Sequence, residues 1–110
     1  MANVFKNAVS ASVGTSGVDV YTAGSGVTAT VIGATVANRH SSSITVDATI
    51  TDSSASVTPF IVKEAPIGTG SSLVLIGGDQ KVVLETGDKI TITSNTASSA
   101  DVIVSVLEST

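Results

Sequence analysis

Residues 73–94 read LVLIGGDQKVVLETGDKITITS, and the folding of this stretch decides the reading of the whole chain. Two apolar runs, at 73–76 and 82–84, flank Gly77-Gly78-Asp79, and a second Gly-Asp pair follows at Gly87-Asp88. Asp79, Glu85 and Asp88 fall within this span, with Asp101 beyond it. Either these carboxylates form a metal or catalytic cluster, or they serve the turns of a β-sheet. The spacing favours turns. Glycine reaches positive φ without a Cβ penalty, and aspartate ties down its own neighbouring backbone. Ile90 and Ile92 alternate with Lys89, Thr91 and Thr93, the period of a half-buried strand. The stretch therefore predicts strand, turn, strand, turn, strand: a meander with Leu73, Leu75, Val83, Ile90 and Ile92 as core candidates.

The same period of two runs outward from here. Ile44, Val46, Ala48 and Ile50 alternate with Thr45, Asp47, Thr49 and Thr51. No apolar stripe at helical spacing persists for three turns. Strands are expected near 4–13, 18–22, 27–38, 43–52, 57–63, 71–76, 80–85, 88–94 and 100–108. The breaks between them are rich in Gly, Ser, Asn and Asp. Pro59 and Pro66, the two prolines, lie in or beside one expected strand and mark it as an edge or a bend. About eight or nine short strands with regular turns imply an all-β fold, an antiparallel β-sandwich of jelly-roll type. Near the end of the chain Val102, Val104 and Val106 share one face, while Ile103 and Leu107 lie on the other. A strand apolar on both faces is either covered twice within its domain or part of an interface.

Composition narrows the function. A chain of 110 residues fits one domain and can bury roughly two-thirds of its unfolded surface. It has no cysteine, so disulfides, thiolate metal sites and thiol catalysis are excluded. Aromatics are only 3%, which leaves Val, Ile, Leu and Ala to build the core. Charged residues are 13%, against the ~25% of an average domain, and the net charge is −4. Low charge density weakens self-repulsion and suits close packing against copies or a large partner, and a stable sandwich with a Ser/Thr surface has the same composition. The five cations, Lys6, Arg39, Lys63, Lys81 and Lys89, are scattered, so nucleic acid is not an expected partner. No apolar run approaches the ~20 residues of a membrane span, and the N-terminal MANVFKNAVSASVG lacks the pattern of a secretory signal.

Catalytic and metal sites find little support. The single histidine, His40, sits in the polar turn 38–43 among serines, where a solvated loop residue is expected rather than a triad base. Zinc needs three or four ligands and His/Cys supply one. The EF-hand pattern is absent, although loops could bring Asp47, Asp52, Asp79, Asp88 and Asp101 together as calcium donors. No cofactor is expected. Carbohydrate binding would call on Tyr21 or Phe60 as a sugar platform, and three aromatics in all make a thin supply.

The wording of the chain then carries weight. Val18-Asp19-Val20-Tyr21-Thr22-Ala23 precedes a Gly-rich turn and Thr28-Ala29-Thr30-Val31-Ile32-Gly33-Ala34-Thr35-Val36-Ala37-Asn38. Ala65-Pro66-Ile67 and Gly70-Ser71-Ser72-Leu73 come later. The chain finishes on Val83-Leu84-Glu85-Thr86-Gly87-Asp88-Lys89-Ile90 and Asp101-Val102-Ile103-Val104-Ser105-Val106-Leu107-Glu108. Over about residues 17 to 108 this resembles small β-sandwich structural proteins of tailed bacteriophages, especially marine and cyanobacterial phages. The resemblance implies a non-enzymatic virion protein, assembled in the host cytoplasm. A capsid decoration (cement) protein that binds the major capsid protein, often as a homo-oligomer such as a trimer, is the first expectation. A neck, tail or fibre component is the second, and a host-surface glycan-binding module the third. Residues 1–13 are expected either as the sandwich's first strand or as an arm that adds a strand to a neighbour. Val4, Phe5, Lys6, Phe60, Ile103 and Leu107 are the candidate interface residues.

Overall fold

In the computed structural model, residues 2–77 and 80–110 are described, and they form nine strands in two antiparallel sheets packed as a sandwich. The strands are β1 (Asn3–Val13), β2 (Val18–Thr22), β3 (Thr28–Asn38), β4 (Ile44–Thr51), β5 (Phe60–Ile67), β6 (Ser72–Ile76), β7 (Val82–Leu84), β8 (Lys89–Ser94) and β9 (Ala100–Ser109). There is no helix among the described residues. One sheet runs β1-β9-β3-β6, with β7 also paired to β3; the other runs β2-β8-β4-β5.

Strand order explains the sandwich. β4 pairs β5, β3 pairs β6, β2 pairs β8 and β1 pairs β9, all antiparallel. The chain is thus one long nested hairpin, folded over so that successive pairs fall alternately in the two sheets. That is the jelly-roll arrangement. The inner faces supply the core. Ile44, Val46 and Ala48 of β4, Ile90 and Ile92 of β8, Val31 and Val36 of β3, and Val102, Val104 and Val106 of β9 are all buried. Small, branched side chains interdigitate here, and Tyr21 is the one aromatic among the buried core residues.

Two expectations for 73–94 are corrected. The segment is not a meander: β6, β7 and β8 do not pair with one another. β6 and β7 lie end to end along β3, opposite 34–37 and 29–31, and both run antiparallel to it. β6 and β7 therefore run in the same direction; of the turn expected at Gly77-Gly78-Asp79, Gly78 and Asp79 lie outside the described residues. β8 crosses to the other sheet, between β2 and β4. The second correction is Val83, which pairs with Thr30 and is exposed, while its neighbour Leu84 is fully buried. A continuous apolar run carries no parity signal, and pairing to β3 chose Leu84 for the core.

The expected strand at 57–63 forms later, at Phe60–Ile67, as an edge strand that carries Pro66 within it. An edge strand tolerates a residue with no N–H to give. Residues 3–13 form the first strand of the chain's own sheet, at its edge beside β9.

Candidate interaction surface on the five-stranded sheet

The two outer faces differ in chemistry. On the four-stranded sheet, Asp47, Thr49 and Thr51 of β4 face outward beside Thr93, Thr91 and Lys89 of β8, with Asp19 and Thr22 of β2 next in line. Lys89 Nζ lies 3.2 Å from Asp19 Oδ2, and the Thr91 hydroxyl donates to Asp19 Oδ1 at 2.8 Å. These bonds, Thr91's first and Lys89's second, hold the Asp19 carboxyl below its usual range. This is a polar, internally paired, solvated face.

The outer face of the five-stranded sheet is apolar. Cross-strand pairing lines up Phe5, Leu107, Thr30 and Val83 in one row, and Val9, Ile103, Thr35 and Val74 in another. Phe5 is 73% exposed, Val9 66%, Val74 64%, Val83 58% and Ile103 53%. Between the rows sit Asn7, Ser105 and Gly33, where a bulge in β3 sets Ile32 beside Gly33. The small residues there leave a shallow depression of about 260 Å³ lined by Phe5, Lys6, Asn7, Ile32, Ser105 and Val106. Polar groups on the face satisfy one another: Ser105 Oγ donates to Asn7 Oδ1 and Ser109 Oγ to Asn3 Oδ1. At one end the Arg39 guanidinium bonds both Asp101 Oδ1 (3.3 Å) and Ser12 Oγ (2.9 Å). With strands ~4.8 Å apart and ~3.3 Å per residue, the face covers about 600 Å², close to the ~800 Å² each partner gives a standard interface. It is also at the upper end of the apolar patches that monomers tolerate.

The expected interface residues separate on the structure. Phe5, Ile103 and Leu107 lie together on this face. Phe60, opposite Thr49, lies on the outer face of the other sheet, with Lys63 Nζ 5.1 Å from its ring centre. Val4 and Lys6 have the opposite parity in β1 and point to the side of the second sheet, near Glu108. Val9, Val74 and Val83 were not among the expected residues. Val74 and Val83 are the second-face members of the apolar runs at 73–76 and 82–84, and that double-faced pattern was their signal in the sequence.

The acidic residues do not converge. Among the described residues, no group of three or more His, Asp or Glu side chains is placed to hold a metal ion. Each candidate calcium donor among the described residues holds backbone instead. Asp47 accepts from the Glu64 N–H, Asp52 from the Ala55 N–H and Ser54 hydroxyl, and Asp101 from the Ser12 N–H. Asp88 is buried and accepts from the Ser53 N–H, the Ser53 hydroxyl and the Glu85 N–H. Asp79 lies outside the described residues. The His40 backbone N–H donates to Asn38 Oδ1, and its carbonyl accepts from the Thr69 hydroxyl, so its role there is to shape the turn. Tyr21 is buried, and its hydroxyl donates to Glu108 Oε2 at 2.5 Å, so its ring offers no platform to a sugar. The two exposed rings, Phe5 and Phe60, sit on opposite outer faces.

Compared with known proteins, the chain matches no family model, no curated protein and no solved structure.

Proposed function

We propose that the chain is a non-enzymatic structural protein of a virion, a decoration protein that docks the outer face of its five-stranded sheet onto the capsid shell. The observation that carries this reading is the asymmetry of the two outer faces. One is threonine- and charge-rich; the other presents two apolar rows, with Asp101, paired to Arg39, at its margin. A flat, nearly uncharged face of this size fits a large, regular, protein surface better than a small ligand. The jelly roll is compatible, since viral shells and lectins both use it, although a fold by itself assigns no function. The resemblance of residues 17 to 108 to phage structural proteins supports the same reading.

The test is binding to expanded capsids of the phage whose particles contain the protein. The double variant Phe5→Ser, Ile103→Thr is expected to lose co-sedimentation with capsids while its thermal midpoint stays within a few degrees. Retained binding would move the contact to another face. Copy number by mass spectrometry of purified particles places the protein: a stoichiometry matching shell subunits supports decoration, and that of a neck or tail ring supports the second location. Absence from particles would overturn the virion reading altogether.

A further inference from the structure

The molecule has four sheet edges, and three carry devices that prevent another strand from adding. β2 is only five residues long and its register to β8 shifts between Asp19 and Tyr21. β5 contains Pro66, has Glu64 at φ 52°, and shifts register twice against β4. The β6–β7 edge is broken after Ile76. β1 is different. It is eleven residues long, has no proline and one charge, Lys6, and its register holds from Asn3 to Ser10. Its one guard is Lys6, turned inward and held by Glu108, so β1 is the most open of the four edges and a template for a further strand.

The backbone of β1 shows which residues would bond it. The Thr110 N–H donates to the Ala2 carbonyl, so even-numbered residues bond β9 and odd-numbered ones turn N–H and C=O to the free edge. Asn3, Phe5, Asn7 and Val9 thus present the unused ladder. The same four side chains lie on the apolar outer face.

We infer that β1 pairs antiparallel with β1 of a second copy about a two-fold axis at Asn7, joining two five-stranded sheets into one of ten strands. Three observations set the occupant and register. Centring on Asn7 overlaps residues 3 to 11, which takes in all of the regular stretch from Asn3 to Ser10 and stops before Ser12 at φ 58°. It sets Phe5 opposite Val9 of the second copy, joining the Val83-Thr30-Leu107-Phe5 row to the Val9-Ile103-Thr35-Val74 row across the axis. It also sets Lys6 opposite Ala8, with Lys6 already 3.5 Å from its own Glu108. A shift centred on Lys6 would oppose two lysines directly, which is destabilising. The pairing consumes both β1 edges and closes as an isologous dimer, with the guarded edges left to end the sheet.

Because the chain has no cysteine, single cysteines report the geometry without interference. Residues facing each other across a two-fold in a hydrogen-bonded pair are ~5.5 Å apart at Cα, within the ~4.4–6.8 Å that a disulfide spans. Asn7→Cys is therefore expected to oxidise to a covalent dimer. Phe5→Cys meets its own equivalent about 13 Å away and is expected not to. Sedimentation of the wild type at micromolar concentration is expected to give a dimer. Asn7→Pro, which removes an N–H aimed at the free edge, should give a folded monomer that keeps the wild-type far-ultraviolet circular dichroism signal. A wild-type monomer or trimer overturns the inference, as does Asn7→Cys cross-linking no faster than the loop control Ser54→Cys. If Asn7→Pro fails to fold, the cysteine pair decides. No capsid enters the test, so a monomer that binds shells would remove the dimer and leave the proposed function standing.

Discussion

At the scale of single residues, the buried polar groups are fasteners. Asn38 donates through Nδ2 to the Ser42 and Ile67 carbonyls, both at 2.9 Å, and accepts from the His40 N–H. It ties the end of β3 to the β3–β4 turn and to the end of β5 in the other sheet. Removing it takes the donor from the buried Ile67 carbonyl and loosens the turn at Ser42, so Asn38→Ala is expected to cost about 1–3 kcal/mol in urea unfolding. Asp88 likewise gathers three donors; Asp88→Ala should cost about 1–3 kcal/mol, with Asp88→Asn recovering part of it. Tyr21 and Glu108 give the fold a pH dependence. The Tyr21 hydroxyl first, and Lys6 second, hold the Glu108 carboxyl below its ordinary 4.5. The unfolded chain then binds the proton more readily. Glu108 therefore stabilises the fold above pH 4.5, and the contribution is lost as pH falls through the depressed value. In Tyr21→Phe the donor is gone, and the drop in urea midpoint from neutral pH to about pH 3 should be smaller than in the wild type. An equal or larger drop would remove Tyr21 as the cause.

At the scale of elements, Gly87 is where the chain turns from β7 toward β8. It has φ +91°, and a Cβ there would sit 2.8 Å from Ser53 Oγ. The backbone requires glycine, and a Cβ would also push the Ser53 hydroxyl off its bond to Asp88. Gly87→Ala is expected to destabilise by about 1–3 kcal/mol, read as a lowered urea midpoint with unchanged slope. The sequence already marked this turn, as it marked nearly every strand, because alternation and Gly/Asp turns are local signals. Pro59 and Pro66 marked an edge or a bend for an equally local reason, and β5 is an edge. What was not legible was pairing. The runs at 73–76 and 82–84 have no polar face to announce a register, so a hairpin and two collinear pieces along β3 read alike. The candidate surface was half legible for the same reason. Ile103 and Leu107 showed a second apolar face on β9, but only pairing through β3 brings Val74 and Val83 into rows with them. The split of Phe60 from Phe5 also depends on which sheet each strand joins.

At the scale of the molecule, nested pairing makes the fold non-local. The first and last strands are partners, with Asn3 and Ser109 bonded across a separation of 106 residues. β3 pairs with β9 as well, and only β4–β5 resembles a local hairpin. Most of the loop-closure entropy must therefore be met before the core's contacts form. Helical bundles of this size fold in microseconds to milliseconds; a chain dominated by such pairings belongs in the range of ~1 ms to seconds. Tyr21 is the only tyrosine and there is no tryptophan, so stopped-flow tyrosine fluorescence reports one site, the Tyr21–Glu108 contact between the sheets. Refolding followed this way should be slow and coincide with the far-ultraviolet circular dichroism signal, because neither sheet can bury its inner face without the other. Val104→Ala, in the centre of β9, should lower stability by about 2 kcal/mol in both probes equally. A β-sheet signal that recovers well before the tyrosine signal would mean that one sheet forms alone. The shared core of β3, β4, β8 and β9 would then not be what makes the two sheets a single cooperative unit.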